Sequence, residues 1–256
     1  MPRIPRPPHR PSATGARDGG APRPYHHGDL RRALVDASLT ILRAQGPEAL
    51  TLRAAARAAG VSQTAPYRHF ADRAALVAGV AEDGFRRLHA RLVVAATAPP
   101  APGSTERAGL QRLAVEYLRF ALEHPAEYRI MFGGELAGWR GAGAASGGTP
   151  DASPNASADS FAEARERLFA LLRGGIARLQ AVGLVRGGDP ATMALSAWAL
   201  VHGVAMLALD GQVARAGAAS PEELALAATE LMMFGMAPGA RAVVPDAPDE
   251  GGSGAG

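Results

Sequence analysis

The segment from Thr51 to Phe70 constrains the fold of this chain more than any other. Its sequence, TLRAAARAAGVSQTAPYRHF, has the layout of two short helices joined by a glycine-containing turn. Leu52 to Ala59 is rich in alanine and arginine, which favour a helix, and Thr51 is suited to cap it. Gly60 can end that helix because glycine adopts a left-handed conformation at little steric cost. This arrangement is typical of a DNA-reading helix-turn-helix.

The second helix of the motif is predicted over Gln63 to His69, with Ser62 as its N-cap. Asp72 is predicted to cap the longer helix that follows. Pro66 lies in the first turn of the recognition helix and biases Ala65 away from the α region, so we expect a tight or 3₁₀-like start. Few N–H groups have partners so early in a helix, and at most one hydrogen bond is lost there.

Polar side chains in and beside this motif are of the types that bind base edges and phosphates. Gln63 and Thr64 are predicted to meet base edges, since glutamine can pair bidentately with adenine. Gln63 and Thr64 could instead be ordinary solvated side chains. Tyr67 and His69 are predicted to hold phosphates rather than to read bases. The predicted DNA-binding residues are Thr51, Arg53, Ser62, Gln63, Thr64, Tyr67, Arg68, His69 and Arg73.

Arg53 and Arg73 open the helices that flank the turn. There, the side chain and the helix N-terminus can grip one phosphate together, although each could equally be a surface arginine. Val61 and Phe70 are predicted to form the core of this DNA-binding head.

Composition excludes several classes of chemistry. The 256 residues include 27 basic side chains, all of them arginine, and no cysteine. The absence of lysine excludes a P-loop lysine and a Schiff-base lysine. The absence of cysteine excludes disulfides and thiolate zinc sites, and it is compatible with a cytoplasmic protein. No secretion signal is visible, and the apolar run Met193 to Leu209 is predicted to be a buried helix rather than a membrane span.

The chain divides into four parts by composition and periodicity. Residues 1–24 are rich in proline, arginine and glycine and are predicted to be a disordered arm suited to a polyanionic partner. Residues 25–92 form the predicted helix-turn-helix domain, which begins with a helix from Asp29 to Gly46-Pro47. Residues 104–236 form the predicted C-terminal domain, and residues 237–256 a disordered tail.

Helical periodicity continues through the C-terminal domain. A helix from Ser104 or Thr105 to His124-Pro125 and a short helix over Ala126 to Leu136 are predicted, followed by a loop over Gly138 to Ala158. Three further helices are predicted at about 159–182, 190–211 and 221–235. No strand alternation is visible, so the predicted fold class is all-α, with an N-terminal three-helix head on a C-terminal helical bundle.

From Tyr25 to about Leu92 the chain resembles the DNA-binding head of the tetracycline-repressor (TetR) family of bacterial regulators. The pattern consists of Thr51-Leu52-Arg53, Ala58-Ala59-Gly60-Val61-Ser62 and Tyr67-Arg68-His69-Phe70, followed by Asp72-Arg73. The leader Tyr25-His26-His27-Gly28-Asp29-Leu30-Arg31, together with Trp198 and His202-Gly203, is similar to a subgroup with a Trp…His-Gly signature in its C-terminal domain.

The resemblance implies a transcriptional regulator, expected to be a repressor, that a small-molecule effector releases from a palindromic operator in double-stranded DNA. It further implies a homodimer joined through the last two long helices and a ligand cavity inside each C-terminal domain. Ligand binding would tilt the helix after Asp72 and move the two heads out of register.

Candidate ligand-binding residues are the aromatic and polarisable side chains of the C-terminal domain. Trp198 and His202 are four residues apart and therefore share a helix face. His202 could bind an effector or act as a proton-sensitive switch, or it could be a core histidine paired with a backbone carbonyl. The other candidates could equally be plain core. The full set is Tyr117, Phe120, Tyr128, Phe132, Phe169, Trp198, His202 and Met206.

Two other function classes compete with regulation by a ligand. An enzyme on a helical bundle lacks support, because the sequence holds no Gly-x-Ser-x-Gly, His-Glu-x₂-His or phosphate-binding glycine loop. An architectural DNA-binding protein would leave the C-terminal domain as unexplained bulk. His26 and His27 project in different directions and have no helical partner at ligand spacing, so no metal, cofactor or catalytic residue is predicted.

Overall fold

The computed structural model describes residues 27–99, 107–134, 156–217 and 220–237, and all regular secondary structure in these ranges is helical. The all-α prediction is therefore confirmed. The helices are α1 His27–Gln45, α2 Leu52–Ala58, α3 Arg73–Thr97, α4 Arg107–Glu123, α5 Pro125–Phe132, α6 Ala156–Ala181, α7 Pro190–Leu209, α8 Gln212–Arg215 and α9 Pro221–Gly235. Two short 3₁₀ helices, Pro47–Ala49 and Ala65–Arg68, lie in the head.

Three predicted segments fall wholly or largely outside the described residues. They are the arm over 1–24, the loop over 138–158, of which only 156–158 is described, and the tail from 237 on, of which only Ala237 is described. Residues 156–158 belong to α6 rather than to a loop. α5 ends at Phe132 instead of Leu136, because the backbone turns extended at Gly133 (φ −74°, ψ 162°).

The head forms around the apolar faces of α1, α2 and the first turns of α3. Leu34, Leu50, Phe70 and Leu76 are completely or almost completely buried in its core. Phe70 therefore plays the core role expected of it, whereas Val61 is only half-buried and packs against that core.

Two of the three predicted N-caps are present. Thr51 accepts a hydrogen bond from Ala54 N at 3.0 Å, and Asp72 accepts one from Ala75 N at 2.8 Å. These caps satisfy backbone donors that the first helical turns leave without partners. They fix where α2 and α3 begin, and so they fix the ends of the segment that lies between these helices.

The C-terminal domain is a bundle arranged around α3 and α4. α3 packs against α4, α5 and α6, and α4 packs against α7 and α9. The long helix predicted from Asp72 is confirmed, with Leu76, Val80, Leu88 and Leu92 buried along it. α5 approaches α3 closely at Gly84, where an added Cβ would lie 2.6 Å from Met131 Sδ.

A buried carboxylate joins the head to the C-terminal domain. Arg31 Nη2 on α1 lies 2.7 Å from Glu82 Oε2 on α3, and the Ser160 hydroxyl on α6 donates to the same oxygen at 3.0 Å. The Glu82 side chain is almost fully buried. The charge is thus compensated where it is desolvated, which is the condition under which a buried ion is tolerated. The first helix of the head is therefore tied to the main helices of the bundle.

Candidate DNA-binding surface and ligand cavity

The recognition segment, residues 63–69, is shorter and tighter than a full α-helix. Only Ala65–Arg68 is helical, and it is a 3₁₀ helix, so the predicted helix over Gln63 to His69 is wrong in its extent. The 3₁₀-like start expected from Pro66 is confirmed. The Pro66 carbonyl accepts hydrogen bonds from His69 N and Phe70 N, both at 2.9 Å, which closes the segment after a single turn.

Ser62 is not the N-cap of this segment. Thr64 occupies that position without a side-chain capping bond, and the Ser62 hydroxyl lies 3.3 Å from Thr64 Oγ1 instead. The Ser62 carbonyl accepts a hydrogen bond from Ala65 N at 3.0 Å. Gly60 has φ +69°, the left-handed conformation expected of it from the sequence. The turn that follows Gly60 therefore sets the direction of the recognition segment.

Side chains of the recognition segment divide into an inner and an outer face. Pro66 and Phe70 are buried, whereas Gln63, Thr64 and Arg68 are exposed and Tyr67 is 53% exposed. Thr51 and Arg53, at the start of α2, are also exposed, and His69 is half-buried. Gln63, Thr64, Tyr67 and Arg68 are thus available to solvent, whereas Pro66 and Phe70 anchor the segment in the head.

Arg73, predicted to bind a phosphate, is hydrogen-bonded to backbone carbonyls of the head. Its Nε donates to the Leu50 carbonyl and its Nη2 to the Pro47 carbonyl, each at 2.8 Å. These carbonyls lie in the connection between α1 and α2, so Arg73 fastens that connection to the start of α3. It stands apart from Arg53 and Arg68, which project into solvent.

A cavity of about 640 Å³ lies inside the C-terminal domain. Its size is within the range typical of small-molecule sites. Four of the predicted ligand-binding residues line it: Tyr117, Phe132, Phe169 and Trp198. Residues of α3, α4, α6 and α7 form most of the remaining wall, including Phe85 and Leu92 from α3.

Tyr128 and His202 lie outside the cavity wall, one layer behind it. The Trp198 indole N–H donates to Tyr117 Oη at 3.0 Å, and Tyr128 Oη lies 2.9 Å from Tyr117 Oη. His202 Nδ1 is 2.7 Å from Tyr128 Oη and 3.0 Å from Tyr117 Oη. The core histidine is thus paired with two tyrosine hydroxyls rather than with a backbone carbonyl.

Burial sets the charge state of this cluster. Desolvation lowers the pKa of His202 and raises the pKa values of Tyr117 and Tyr128. All three groups are therefore neutral near pH 7, and the tautomer of His202 decides whether Nδ1 donates or accepts in its contacts with the two hydroxyls. The cluster consequently places neutral polar groups at and directly behind one part of a largely apolar cavity wall.

Phe120 and Met206 also do not line the cavity. Phe120 is fully buried and packs against His124, with ring centroids 4.9 Å apart, and beneath the Arg91 guanidinium. Met206 is partly buried against the main core. These two residues are core, which was the alternative for every aromatic or polarisable candidate.

Several wall residues did not emerge from the sequence. Phe85 and Leu92 were predicted only as part of a long helix, and α6 was predicted without any pocket role. On α6, Phe161, Arg165, Leu168 and Leu172 recur at steps of four, three and four and all line the cavity. That periodicity was the signal available to find them.

Two further features bear on function. Within the described ranges, no group of three or more histidine, aspartate or glutamate side chains is placed to hold a metal ion. α7 is the one described helix that is long and apolar enough to span a membrane, with a mean hydropathy of 1.7. In the structure it packs against α4, α6 and α9, but only 33% of its apolar window is buried, so the predicted buried helix is a bundle helix with an exposed side.

Comparisons with known proteins agree with this geometry. Residues 34–80 match the family of bacterial regulatory proteins of the tetR family, and residues 110–232 match the tetracyclin repressor-like C-terminal domain. No curated protein matches the chain.

Solved structures show the same fold. A protein of unknown function from Rhodococcus sp. RHA1 is 35% identical, with a TM-score of 0.66 over 84% of this chain and 100% of that chain. The TetR family transcriptional regulator PfmR from Thermus thermophilus is 19% identical, with a TM-score of 0.55 over 78% and 97%. A bacterial regulatory protein in the tetR family from Rhodococcus RHA1 is 17% identical, with a TM-score of 0.54 over 81% and 97%. At these last two identities, the likeness concerns the fold alone.

A helix-turn-helix head on a helical C-terminal domain defines the class of DNA-binding transcriptional regulators. The chain belongs to the TetR family of transcriptional regulators. Its DNA-binding head comprises α1, α2, the 3₁₀ helix Ala65–Arg68 and the start of α3.

Proposed function

We propose that the protein is a cytoplasmic repressor that binds a palindromic operator as a homodimer and is released by a small-molecule effector. The observation that carries this proposal is the course of α3. This helix begins at Arg73, directly behind the recognition segment, and places Phe85 and Leu92 in the cavity wall. A ligand that displaces these side chains acts on the same helix that supports the head.

Exposed apolar side chains support the homodimer. Leu200 and Leu207 on α7 lie on one exposed stripe, and Leu231 and Phe234 on α9 are 75% and 80% exposed. The two helices pack against each other. Large apolar side chains at such exposure are characteristic of an interface. A second copy placed against this face would bury them in a four-helix contact.

Gly203 supports the same placement. It lies between Leu200 and Leu207 on α7, and a Cβ added to it would meet no atom within 4 Å in this chain. Glycine in the middle of a helix costs about 1 kcal/mol relative to alanine. Close approach of α7 from a second copy accounts for a small residue at this position.

The exposed face of the recognition segment supports binding to DNA in the major groove. Gln63 and Thr64 are available to base edges, while Tyr67, Arg68 and Arg53 are available to phosphates. Two heads related by a twofold axis would read two half-sites about one helical turn apart, which is the geometry of a palindrome.

Selection of bound duplexes from a random pool with the purified chain tests this function. The expected product is a palindrome with half-sites at dimer-compatible spacing. Transcription in vitro from a promoter that carries the selected site should fall when the protein is added. An effector should raise the temperature of unfolding, lower operator affinity and restore transcription.

The outcomes separate the alternatives. Selection of DNA without any sequence preference would instead support an architectural protein. A rise in transcription on binding would support an activator and contradict the repressor role.

A further inference from the structure

The polar groups of the cavity are distributed unevenly between its interior and its mouth. Inside, the Trp198 N–H is bonded to Tyr117 Oη, and the Tyr117 and Tyr128 hydroxyls are bonded within the cluster around His202. The Thr229 hydroxyl, also in the wall, donates to the Ala225 carbonyl at 2.7 Å. The interior side-chain N–H and O–H donors are therefore already engaged, and the rest of the interior wall is apolar.

The mouth differs from the interior. Arg165 on α6 lines the cavity and is exposed to solvent, so it lies where the cavity opens. It stands four residues after Phe161 and three before Leu168, and both of those side chains lie in the cavity wall. Arg165 thus replaces one apolar position of the cavity-facing stripe of α6. Within the described ranges it forms no ion pair.

Glu166 is the other charged residue at the mouth, and its charge is compensated. Its Oε1 lies 3.4 Å from Arg173 Nη1, about two turns further along α6. Arg165, Glu166 and Arg173 together carry a net charge of +1, from two arginines and one glutamate. Of these three residues, Arg165 is therefore the cation that has no ion-pair partner in the described ranges, and it lies on the cavity face.

We propose that the effector is an amphipathic organic anion: an apolar hydrocarbon or aryl body that fills the cavity and a single carboxylate that pairs with Arg165 at the mouth. This proposal rests on the ligand-responsive function proposed above and specifies its ligand. A buried polar group on the ligand would find no free side-chain donor inside, and such burial is unfavourable. An acid group left at the mouth keeps its contact with water and gains a guanidinium partner.

A matched series of ten-carbon probes tests the polarity of the site. Decanoate, 1-decanol and decylamine share one apolar body and differ in the head group. Binding is followed through the fluorescence of Trp198, which lines the cavity, in full-length protein carrying Trp139→Phe so that Trp198 is the one remaining tryptophan. Decanoate should bind roughly tenfold more tightly than the alcohol or the amine, and added salt should weaken decanoate alone.

Arg165→Gln should weaken decanoate binding by roughly fivefold to tenfold and leave decanol unchanged. Arg167→Gln is the matched control, since Arg167 is an exposed arginine of α6 that pairs with Glu163 at 3.2 Å and does not line the cavity. It should alter neither ligand. The proposal is overturned if decanol or decylamine binds as tightly as decanoate, if none of the three binds, or if Arg165→Gln leaves decanoate unaffected.

Operator binding, measured separately on the same variants, keeps this result distinct from the proposed function. If the chain selects a palindrome but shows no preference for the acid, the ligand class is wrong and the DNA-binding role stands. If decanoate binds as expected but no operator is selected, the ligand class stands and the regulatory role fails.

Discussion

The hydroxyl of Tyr128 lies 2.7 Å from Nδ1 of His202, which joins α5 to α7 inside the bundle. Tyr117 brings α4 into the same cluster, because its hydroxyl lies 2.9 Å from that of Tyr128. A buried polar contact of this kind is favourable only when each member has a partner. The cluster therefore fixes the relative positions of three helices that surround the cavity.

Removal of the Tyr128 hydroxyl should destabilise the fold. We expect Tyr128→Phe to lower the free energy of unfolding by about 1 kcal/mol, because a buried hydrogen bond is lost and His202 keeps only Tyr117 as a partner. Urea denaturation measures the change. Tyr67→Phe is the matched control, since its ring is 53% exposed and it should leave stability unaltered. Equal effects of the two substitutions would contradict the role of the cluster.

His202 should make stability depend on pH. Burial lowers its pKa below the ordinary value of 6.5, so the unfolded chain takes up a proton first as the pH falls. The free energy of unfolding should therefore decline below about pH 6.5 until the folded imidazole is itself protonated. His202→Asn, which cannot titrate, should decline less over this window in denaturation series.

His124 and Glu127 also have shifted pKa values, and both residues are present in the wild type and in His202→Asn. Burial lowers the pKa of His124, and it raises the pKa of Glu127, which acts in the opposite direction above pH 4.5. The difference between wild type and His202→Asn therefore isolates His202. Identical pH profiles would show that His202 does not contribute.

Arg68 and Arg73 should both contribute to non-specific affinity but differ in their effect on folding. Either change to alanine should weaken binding to all DNA sequences and reduce the salt slope by about 1. Arg73→Ala should also lower stability, because the bonds to the Pro47 and Leu50 carbonyls are lost. Arg68 is exposed and should leave stability unchanged. Salt titrations and thermal unfolding of both variants measure the two effects.

Gln63 should act on specificity instead. Gln63→Ala should relax the preference at one base position, because about 1–3 kcal/mol of discrimination in favour of the preferred base is lost. Selection of bound DNA with the variant and with Arg68→Ala as the comparison identifies that position. A uniform loss of affinity at every sequence, as expected for Arg68→Ala, would assign Gln63 to a phosphate instead.

The exposed apolar face of α7 and α9 should be the dimer interface. Phe234→Asp should convert the protein to a monomer in sedimentation experiments and weaken operator binding, because a charge would be buried without a partner. Val182→Asp is the control, since Val182 is 66% exposed in the turn after α6 and outside this face. A dimer that survives Phe234→Asp would place the interface elsewhere.

The helices that have strong local signals were predictable from sequence. Thr51 and Asp72 cap α2 and α3 as expected, and Pro66 produces the expected 3₁₀ turn. Local chemistry decides these features, because each depends on a few neighbouring residues. The short helix α8 was missed, since four residues are too few to show a helical period.

The cavity was only half predictable. Phe132 and Trp198 line it, but Phe120 and Tyr128 look the same in sequence and lie in the core. All four are aromatic side chains on helices of the bundle, and helical periodicity does not show where the core is empty. Arg165 was missed because its position at the cavity mouth depends on how α6 packs in the bundle, which no local pattern encodes.

α3 is continuous from Arg73 to Thr97, with its 25 residues in one helical element. A helix of that length measures about 37 Å, so a tilt of about 5° displaces one end relative to the other by about 3 Å. If an effector tilts α3, as the proposed function requires, the end that supports the DNA-binding head would move by a distance of this order.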